Sequence, residues 1–220
     1  MRYELKFIFD NNQLNDFQDW LLQNSSFKKK YENRTVNSVY FDDLYNTSAN
    51  DNLSGISKRE KYRLRWYNNN FVNNLKFEVK KRINRLNFKE FFNFSSSETA
   101  KSSSLNYFAS LCKNKLNNNN LRHTFDLYPK IQVQYLREYF EDKNSLRITI
   151  DKNIKFWRLI EKDNIFNGQS LNYKFNIVEI KFEPEMYSYV SNILRKSNFI
   201  PKRHSKYLIG LSLFDELKYI

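Results

Sequence analysis

The sequence predicts an α+β fold built on an antiparallel sheet of eight or nine strands, and two observations carry that reading. Strand-length segments alternate charged and apolar residues with a period of two. The plainest is 59–67, where Lys61, Arg63 and Arg65 fall on one face and Tyr62, Leu64 and Trp66 on the other. Few segments between these strands have the 3.6-residue spacing of a helix, so strands mostly follow strands.

Residues 2–9 predict the first strand, with Arg2, Glu4 and Lys6 opposite Tyr3, Leu5 and Phe7. Asp10-Asn11-Asn12 offers a helix start, and Leu14, Phe17 and Leu21 follow at helical spacing until Asn24-Ser25-Ser26. Lys28, Lys29 and Lys30 read as a solvated loop or strand entry before a second strand at 34–42. Residues 43–58 are polar and contain Gly55, which predicts a connecting loop with room for a short helical turn. After the third strand, Asn68-Asn69-Asn70 supplies turn chemistry. A fourth strand is expected at 72–82, with Lys76, Glu78 and Lys80 opposite Phe77 and Val79, and a Phe-rich fifth at 86–92.

Residues 97–116 predict a helix with Leu105, Phe108, Ala109, Cys112 and Leu116 in one apolar stripe. Cys112 lies in that stripe and reads as core rather than nucleophile. The four asparagines at 117–120 form a low-complexity loop. Strands are expected at 130–141, at 145–151 and, shorter, at 154–160. The last clear strand, 173–183, sets Glu179, Lys181 and Glu183 opposite Val178, Ile180 and Phe182. Beyond Pro184, Met186, Tyr189, Val190, Ile193 and Leu194 follow helical spacing over 185–197, and an apolar helical tail follows Ser205-Lys206-Tyr207. No tandem repeat and no Gly/Pro/Ser linker divides the chain, which predicts a single domain over 1–220.

At 220 residues, 40% of them apolar and including 20 Phe and 15 Tyr, the chain can bury a sizeable core. Its 37 basic and 24 acidic residues leave a formal charge of +13. That excess suits a polyanion: nucleic acid, an anionic membrane surface or a phosphate-rich small molecule. The bland alternative is a generally basic proteome. One cysteine excludes an internal disulfide framework and fits a reducing compartment. There is no 18-residue apolar run and no uninterrupted signal-peptide core at the N-terminus, so a cytoplasmic protein without a transmembrane segment is expected.

The charged strand faces admit two architectures. In a half-exposed sheet they look to water and the apolar faces pack a core. In a closed barrel of about eight strands they line a polar lumen, and the helices at 12–24, 97–116 and 185–197 cover the apolar outside. Enclosed cations are costly unless paired. Glu4, Glu78 and Glu179 can neutralise only part of Lys6, Arg63, Arg65, Lys80, Arg137, Arg147 and Lys181. A bound polyphosphate would satisfy the remainder, because arginine matches phosphate oxygens with a planar fork and lysine adds a point charge. The acidic minority has the oxygen chemistry of a Mg²⁺ or Mn²⁺ site.

Eight short segments, in order, carry a family resemblance. They are Arg2-Tyr3-Glu4-Leu5-Lys6, Ser38-Val39-Tyr40-Phe41-Asp42, Lys61-Tyr62-Arg63-Leu64-Arg65-Trp66-Tyr67 and Phe77-Glu78-Val79-Lys80. Then come Tyr135-Leu136-Arg137, Leu146-Arg147-Ile148-Thr149-Ile150-Asp151, Val178-Glu179-Ile180-Lys181 and Ser205-Lys206-Tyr207. Each is weak alone; their order across residues 2–207 is specific. The chain resembles the VTC domain, the catalytic domain of polyphosphate polymerases, within the triphosphate tunnel metalloenzymes of the CYTH-like superfamily. The resemblance spans almost the whole chain, leaving no room within it for an SPX domain or membrane segments.

The resemblance implies a closed tunnel of eight antiparallel strands that binds ATP and threads polyphosphate. It implies phosphate-binding roles for Lys6, Arg63, Arg65, Lys80, Arg137, Arg147 and Lys181, with Lys61 sharing their parity near the rim. Glu179 corresponds to the metal ligand and Glu78 to its helper, for Mn²⁺ or Mg²⁺. Arg203 and Lys206 match a basic pair near the tunnel mouth, with Ser205 between them. Asn68 departs from the pattern where glycine is expected, and the 43–58 loop diverges, so no nucleotide-base contact is carried over there.

The implied activity is ATP-dependent polyphosphate polymerisation. A tunnel-fold tri- or polyphosphatase is the main rival, with Glu4, Glu78 or Glu183 to orient water. A non-catalytic nucleic-acid or polyanion binder is the third reading. The 17% aromatic content points that way, but most aromatics alternate with the charges instead of joining them, which is poor for base stacking. Nucleic acid is therefore not an expected partner, and any membrane-protein partner is left open. His123 falls in a loop-like stretch and His204 beside the basic pair, with no spacing that suits a two-histidine metal site.

Overall fold

The computed structural model describes residues 2–23, 26–84, 86–102, 104–118, 126–159, 168–195 and 197–218. Nine strands hydrogen-bond in the order β1 (Tyr3–Phe9), β9 (Asn176–Phe182), β7 (Arg147–Arg158), β6 (Tyr128–Glu141), β2 (Lys28–Asp42), β3 (Lys58–Tyr67), β4 (Lys76–Ile83) and β5 (Leu86–Asn93), with the two-residue β8 (Leu171–Asn172) beside β7. Helices α1 (Asn11–Gln23), α2 (Thr47–Leu53), α3 (Phe71–Asn74), α4 (Ser96–Ala100), α5 (Leu105–Asn118), α6 (Tyr187–Arg195) and α7 (Lys206–Leu213) complete the α+β fold. The expected closed eight-stranded barrel is not what the hydrogen bonds form. Among the described residues the path has two ends, β1 and β5, and no ladder joins them.

The chain forms two compact units. The first holds residues 1–35, 135–154 and 172–204. Its core comes from the apolar parity of the strands: Phe7 and Phe9 on β1, Ile148 and Ile150 on β7, Val178, Ile180 and Phe182 on β9. Leu14, Phe17 and Leu21 of α1 and Val190 of α6 pack onto them, so these two amphipathic helices cover the sheet as their spacing predicts.

The second unit holds residues 36–134, 155–171 and 205–220. Its core joins Val39 and Phe41, Tyr62, Leu64 and Trp66, Phe77 and Val79 to Leu105, Phe108, Ala109, Cys112 and Leu116 of α5. Burial pushes the Cys112 thiol well above its ordinary pKa, consistent with a packing residue. At α7, a Cβ on Gly210 would lie 2.6 Å from Ile131 Cγ2 and 2.9 Å from Phe156 Cδ1. Only glycine lets this helix sit so close to the strands.

Several boundaries differ from expectation for identifiable reasons. β2 starts at Lys28 rather than 34; its first seven residues are exposed, so no burial pattern marked them as strand. The expected 145–151 and 154–160 strands are one strand, β7, which runs through Asn153 at φ 53°. A left-handed residue inside a strand is the mark of a bulge, and asparagine tolerates it. The expected fourth strand begins at Lys76, after the short α3, and the last strand at Asn176. The helix expected at 97–116 is two, the first opened by a Ser95–Glu98 capping box. The helix expected at 185–197 is a 3-10 turn at Pro184–Met186 followed by α6. The 43–58 loop contains a short helix, α2, whose first amides are held by Asp42 and Asp43. Asn68 adopts φ 53°, so the residue found where glycine was expected is one that accepts the left-handed turn.

Candidate functional site

In the first unit, strand register gathers the charges. β1 and β9 pair Glu4 with Lys181 and Lys6 with Glu179, while β7 sets Arg147 opposite Lys181 and Thr149 opposite Glu179. Residues directly opposite in a ladder share a face, so these six side chains lie on one surface. Lys6 Nζ bridges Glu4 Oε1 at 2.9 Å and Glu179 Oε1 at 3.4 Å, and donates to the His204 carbonyl at 3.2 Å. Burial depresses this ammonium, but Glu179 and Glu4 outweigh it and its pKa ends raised. Lys181 Nζ donates to Glu179 Oε2 at 2.9 Å.

Arg137 of β6 lies beside this cluster. Its Nε and Nη2 donate to Asp151 Oδ1 and Oδ2 at 2.5 and 2.7 Å, and Nη2 is 3.9 Å from Glu179 Oε2. Burial disfavours the guanidinium charge, yet Asp151 more than restores it and the pKa is raised. Arg147 has a different setting. Half exposed at the start of β7, it pairs with Glu141 at 3.2 Å, and Glu141 also takes Lys30 at 2.9 Å. Arg203 is exposed in the segment before α7. His204 is buried, with its ring 5.9 Å from that of Tyr173; His123 lies outside the described residues.

In the second unit, three cross-strand rows make the charged face. The first runs Ser38, Arg65, Lys76, Asn93; the second Tyr40, Arg63, Glu78, Phe91; the third Lys61, Lys80, Lys89. Six cations stand in these rows against the one carboxylate of Glu78. Three lysines directly opposite one another repel, a destabilising arrangement that a bound anion would relieve. Arg63 Nε donates to Glu78 Oε2 at 2.6 Å, with Nη2 also in contact, and Nη1 reaches the Tyr40 hydroxyl at 3.5 Å. Arg65 Nε donates to Ser38 Oγ at 3.1 Å. Burial raises the Glu78 carboxyl, but Arg63, Arg65 and Lys89 together bring it down to about 2. Burial likewise raises the Tyr40 phenol, and Arg63 and Arg65 outweigh it, leaving it below its ordinary value.

The C-terminal helix meets this face. Lys61 Nζ donates to Ser205 Oγ at 3.0 Å, and Ser205 caps α7. Tyr207 stacks on Tyr40 at 5.2 Å and donates to Asp42 Oδ2 at 2.7 Å. Lys206 is buried, and its charge contributes to lowering Tyr40. Arg59 is also buried, with Nη1 on the Ile56 carbonyl at 2.5 Å, so the backbone accounts for this residue.

The VTC domain model matches residues 1–214. The chain belongs to the VTC domain family. Among solved structures, this VTC domain is similar to a candidate adenylyl cyclase from Hippeastrum described as having a dominant triphosphatase activity. The TM-score is 0.57 at 11% identity, covering 96% of each chain. It is also similar to candidate adenylate cyclases from Vibrio parahaemolyticus (TM-score 0.54, 12% identity, 94% of this chain and 96% of that one) and Bacillus halodurans (0.53, 13%, 97% of each). At these identities the likeness shows the fold alone. A search of the curated proteins finds no match.

The two expected metal ligands lie in different units, Glu179 in the first and Glu78 in the second. Among the described residues no group of three or more His, Cys, Asp or Glu side chains gathers to hold an ion. Glu179 is engaged by Lys6 and Lys181, and Glu78 by Arg63. This donor set does not suit a resident ion in an all-protein cage. It does fit an ion held by a single carboxylate and completed by ligand oxygens, a manner usual for Mg²⁺.

Ser38, Tyr40, Lys89, Thr149 and Asp151 are among the polar residues of these faces that had no role in the sequence reading. All but Lys89 had a visible signal. Ser38 and Tyr40 alternate with Val39 and Phe41, and Asp151 shares the parity of Arg147. Lys89 sits among phenylalanines, and only the register with Lys80 shows its company.

Proposed function

We propose that this VTC domain is a metal-dependent polyphosphate polymerase that moves the γ-phosphoryl group of ATP onto the end of a growing polyphosphate chain. The reading rests on the cation excess of the second unit's charged face, above all the opposed Lys61, Lys80 and Lys89, in a chain of this family. The bond from the γ-phosphorus to the bridging oxygen breaks, a terminal polyphosphate oxygen takes its place on phosphorus, and ADP leaves. That terminal oxygen is already anionic near neutral pH, so the step needs alignment and charge neutralisation rather than a general base.

In this reading Arg63, Arg65, Lys80, Arg137, Arg147 and Lys206 stabilise the phosphoryl group in transfer. Lys6, Lys61, Lys181, Arg203 and Ser205 bind flanking phosphates. Arg137 arrives already oriented by Asp151, and Arg63 by Glu78. Glu179 would hold Mn²⁺ or Mg²⁺ through one carboxylate oxygen, with Glu78 the second candidate ligand; a bound ion supplies Lewis-acid neutralisation of phosphate charge. Closure of the sheet into a tunnel, action of the 220 residues as one domain and a cytoplasmic setting belong to the same proposal. Among the described residues no helix is long and apolar enough to cross a membrane.

A second reading, hydrolysis of triphosphate or polyphosphate, has the Hippeastrum neighbour's named activity in its favour. One assay separates the two. Purified protein is incubated with ATP and Mn²⁺ and the products are resolved on a gel that detects polyphosphate. Chains with ADP support the polymerase; orthophosphate without chains supports the hydrolase; no turnover, with salt-sensitive RNA binding, removes both.

A further inference from the structure

Thr149 lies on β7 directly opposite Glu179 and is 8% exposed. Its Oγ1 is buried and has no hydrogen-bond partner among the described residues. This is uncommon. A threonine hydroxyl can usually turn to a nearby carbonyl, and leaving it unmade costs about 1–3 kcal/mol. The face it shares is crowded with charge: Lys6 and Lys181 on the Glu179 carboxylate, and Arg137 3.9 Å from it. Lys6, Lys181 and Arg137 are each engaged with a carboxylate there, and the Thr149 hydroxyl is left over.

From this we infer that Thr149 is a positioning residue for substrate, its hydroxyl donating to a phosphate oxygen that occupies the Glu4–Lys6–Glu179–Lys181 face. The inference rests on the reading of that face as phosphate-binding. The chemistry suits the place. Lysine and arginine draw phosphate by charge but tolerate sliding, whereas a short β-branched hydroxyl has few rotamers and a fixed reach. A neutral donor of this kind adds register to a chain of equivalent phosphates without adding to the net charge. A buried hydroxyl without a partner is also the cost expected of a site organised ahead of its ligand.

The test uses the full 220-residue chain, inorganic tripolyphosphate as probe and calorimetric titration in the presence of a chelator, with Thr149→Val and Thr149→Ser compared to wild type. Valine keeps the shape and removes the hydroxyl; serine restores the donor. The expected result is tripolyphosphate affinity about tenfold weaker for T149V, since a hydrogen bond to a charged acceptor contributes about that much, and near wild type for T149S. The thermal midpoint of ligand-free T149V should be unchanged or raised, because the substitution removes an unmade donor. Equal affinity in wild type and T149V overturns the inference while leaving the phosphate-binding face intact. A midpoint lowered by several degrees in T149V also overturns it, by giving the hydroxyl a structural partner. If wild type itself does not bind tripolyphosphate, or if Lys6→Ala binds as tightly as wild type, the reading of the face fails and the inference falls with it.

Discussion

Asp151 holds Arg137 by two parallel hydrogen bonds, of 2.5 and 2.7 Å, and does so with no solvent exposure of its own. The guanidinium is further fixed over the Tyr135 ring, 5.2 Å from its centroid. A fork–fork pair of this kind fixes a direction as well as a distance. Arg137 thus presents its remaining edge in one orientation, beside Glu179.

Removing one partner of a buried pair strands the other, which typically costs about 3–5 kcal/mol. Asp151→Asn should therefore lower the unfolding free energy measured in urea by an amount of that order, with a lower midpoint. A midpoint within error of wild type would show that Glu179 alone suffices for Arg137.

Glu78 gives a pH prediction. Its folded pKa, about 2, lies below its ordinary value of 4.5, so the folded state binds its proton less readily than the unfolded one. The stabilisation is fully present above pH 4.5 and is lost as pH falls toward 2; the size implied is about 3 kcal/mol. Glu78→Gln should be less stable than wild type at pH 7, and the difference should shrink through that window. Denaturation curves for both proteins from pH 7 to 2.5 measure it, and a gap that does not narrow would refute the assignment.

Arg65→Ala and Glu179→Ala test the proposed chemistry directly. Each should reduce polyphosphate synthesis by roughly 10²-fold or more, the usual size for a group that stabilises transition-state charge, while far-UV circular dichroism stays that of wild type. Undiminished turnover in either variant would take that residue out of the site.

Gly210→Ala should destabilise the protein even though alanine is the better helix former. The new Cβ would meet Ile131 and Phe156 at 2.6 and 2.9 Å, and overpacking of this kind costs about 1–3 kcal/mol. The helix-propensity gain is about 1 kcal/mol in the other direction, so the sign of the measured change decides whether the contact is as rigid as it looks.

Much of the site could be read from the sequence because a strand's two faces are written in its parity. Lys61, Arg63 and Arg65 were placed together by that rule, as were Glu179 and Lys181, and both pairings of faces appear in the structure. What parity cannot supply is register. That Arg63 meets Glu78, or that Lys80 stands between Lys61 and Lys89, depends on which residues of neighbouring strands come opposite. The same limit hid Asp151, whose partner lies 14 residues away on another strand. Element ends were lost for a different reason. The exposed start of β2 has no burial contrast to read, and Asn153 continues a strand through a backbone conformation that the polar Asp151-Lys152-Asn153 run makes look like a break. Sheet closure is one of two architectures the charged faces allow and rests on family resemblance; among the described residues the hydrogen-bonded path ends at β1 and β5.

The row of Lys61, Lys80 and Lys89 also bears on the life of the protein outside its reaction. Opposed like charges hold the sheet below the stability its apolar packing alone would allow, and a polyanion laid across them would reverse that. A ligand that binds only the folded state stabilises it by RT ln(1 + [L]/Kd), about 2.7 kcal/mol at a hundredfold excess over Kd. Under the proposed function, phosphate supply would then bear on how much folded protein persists. On that proposal abundance would track the availability of substrate through three lysines in register.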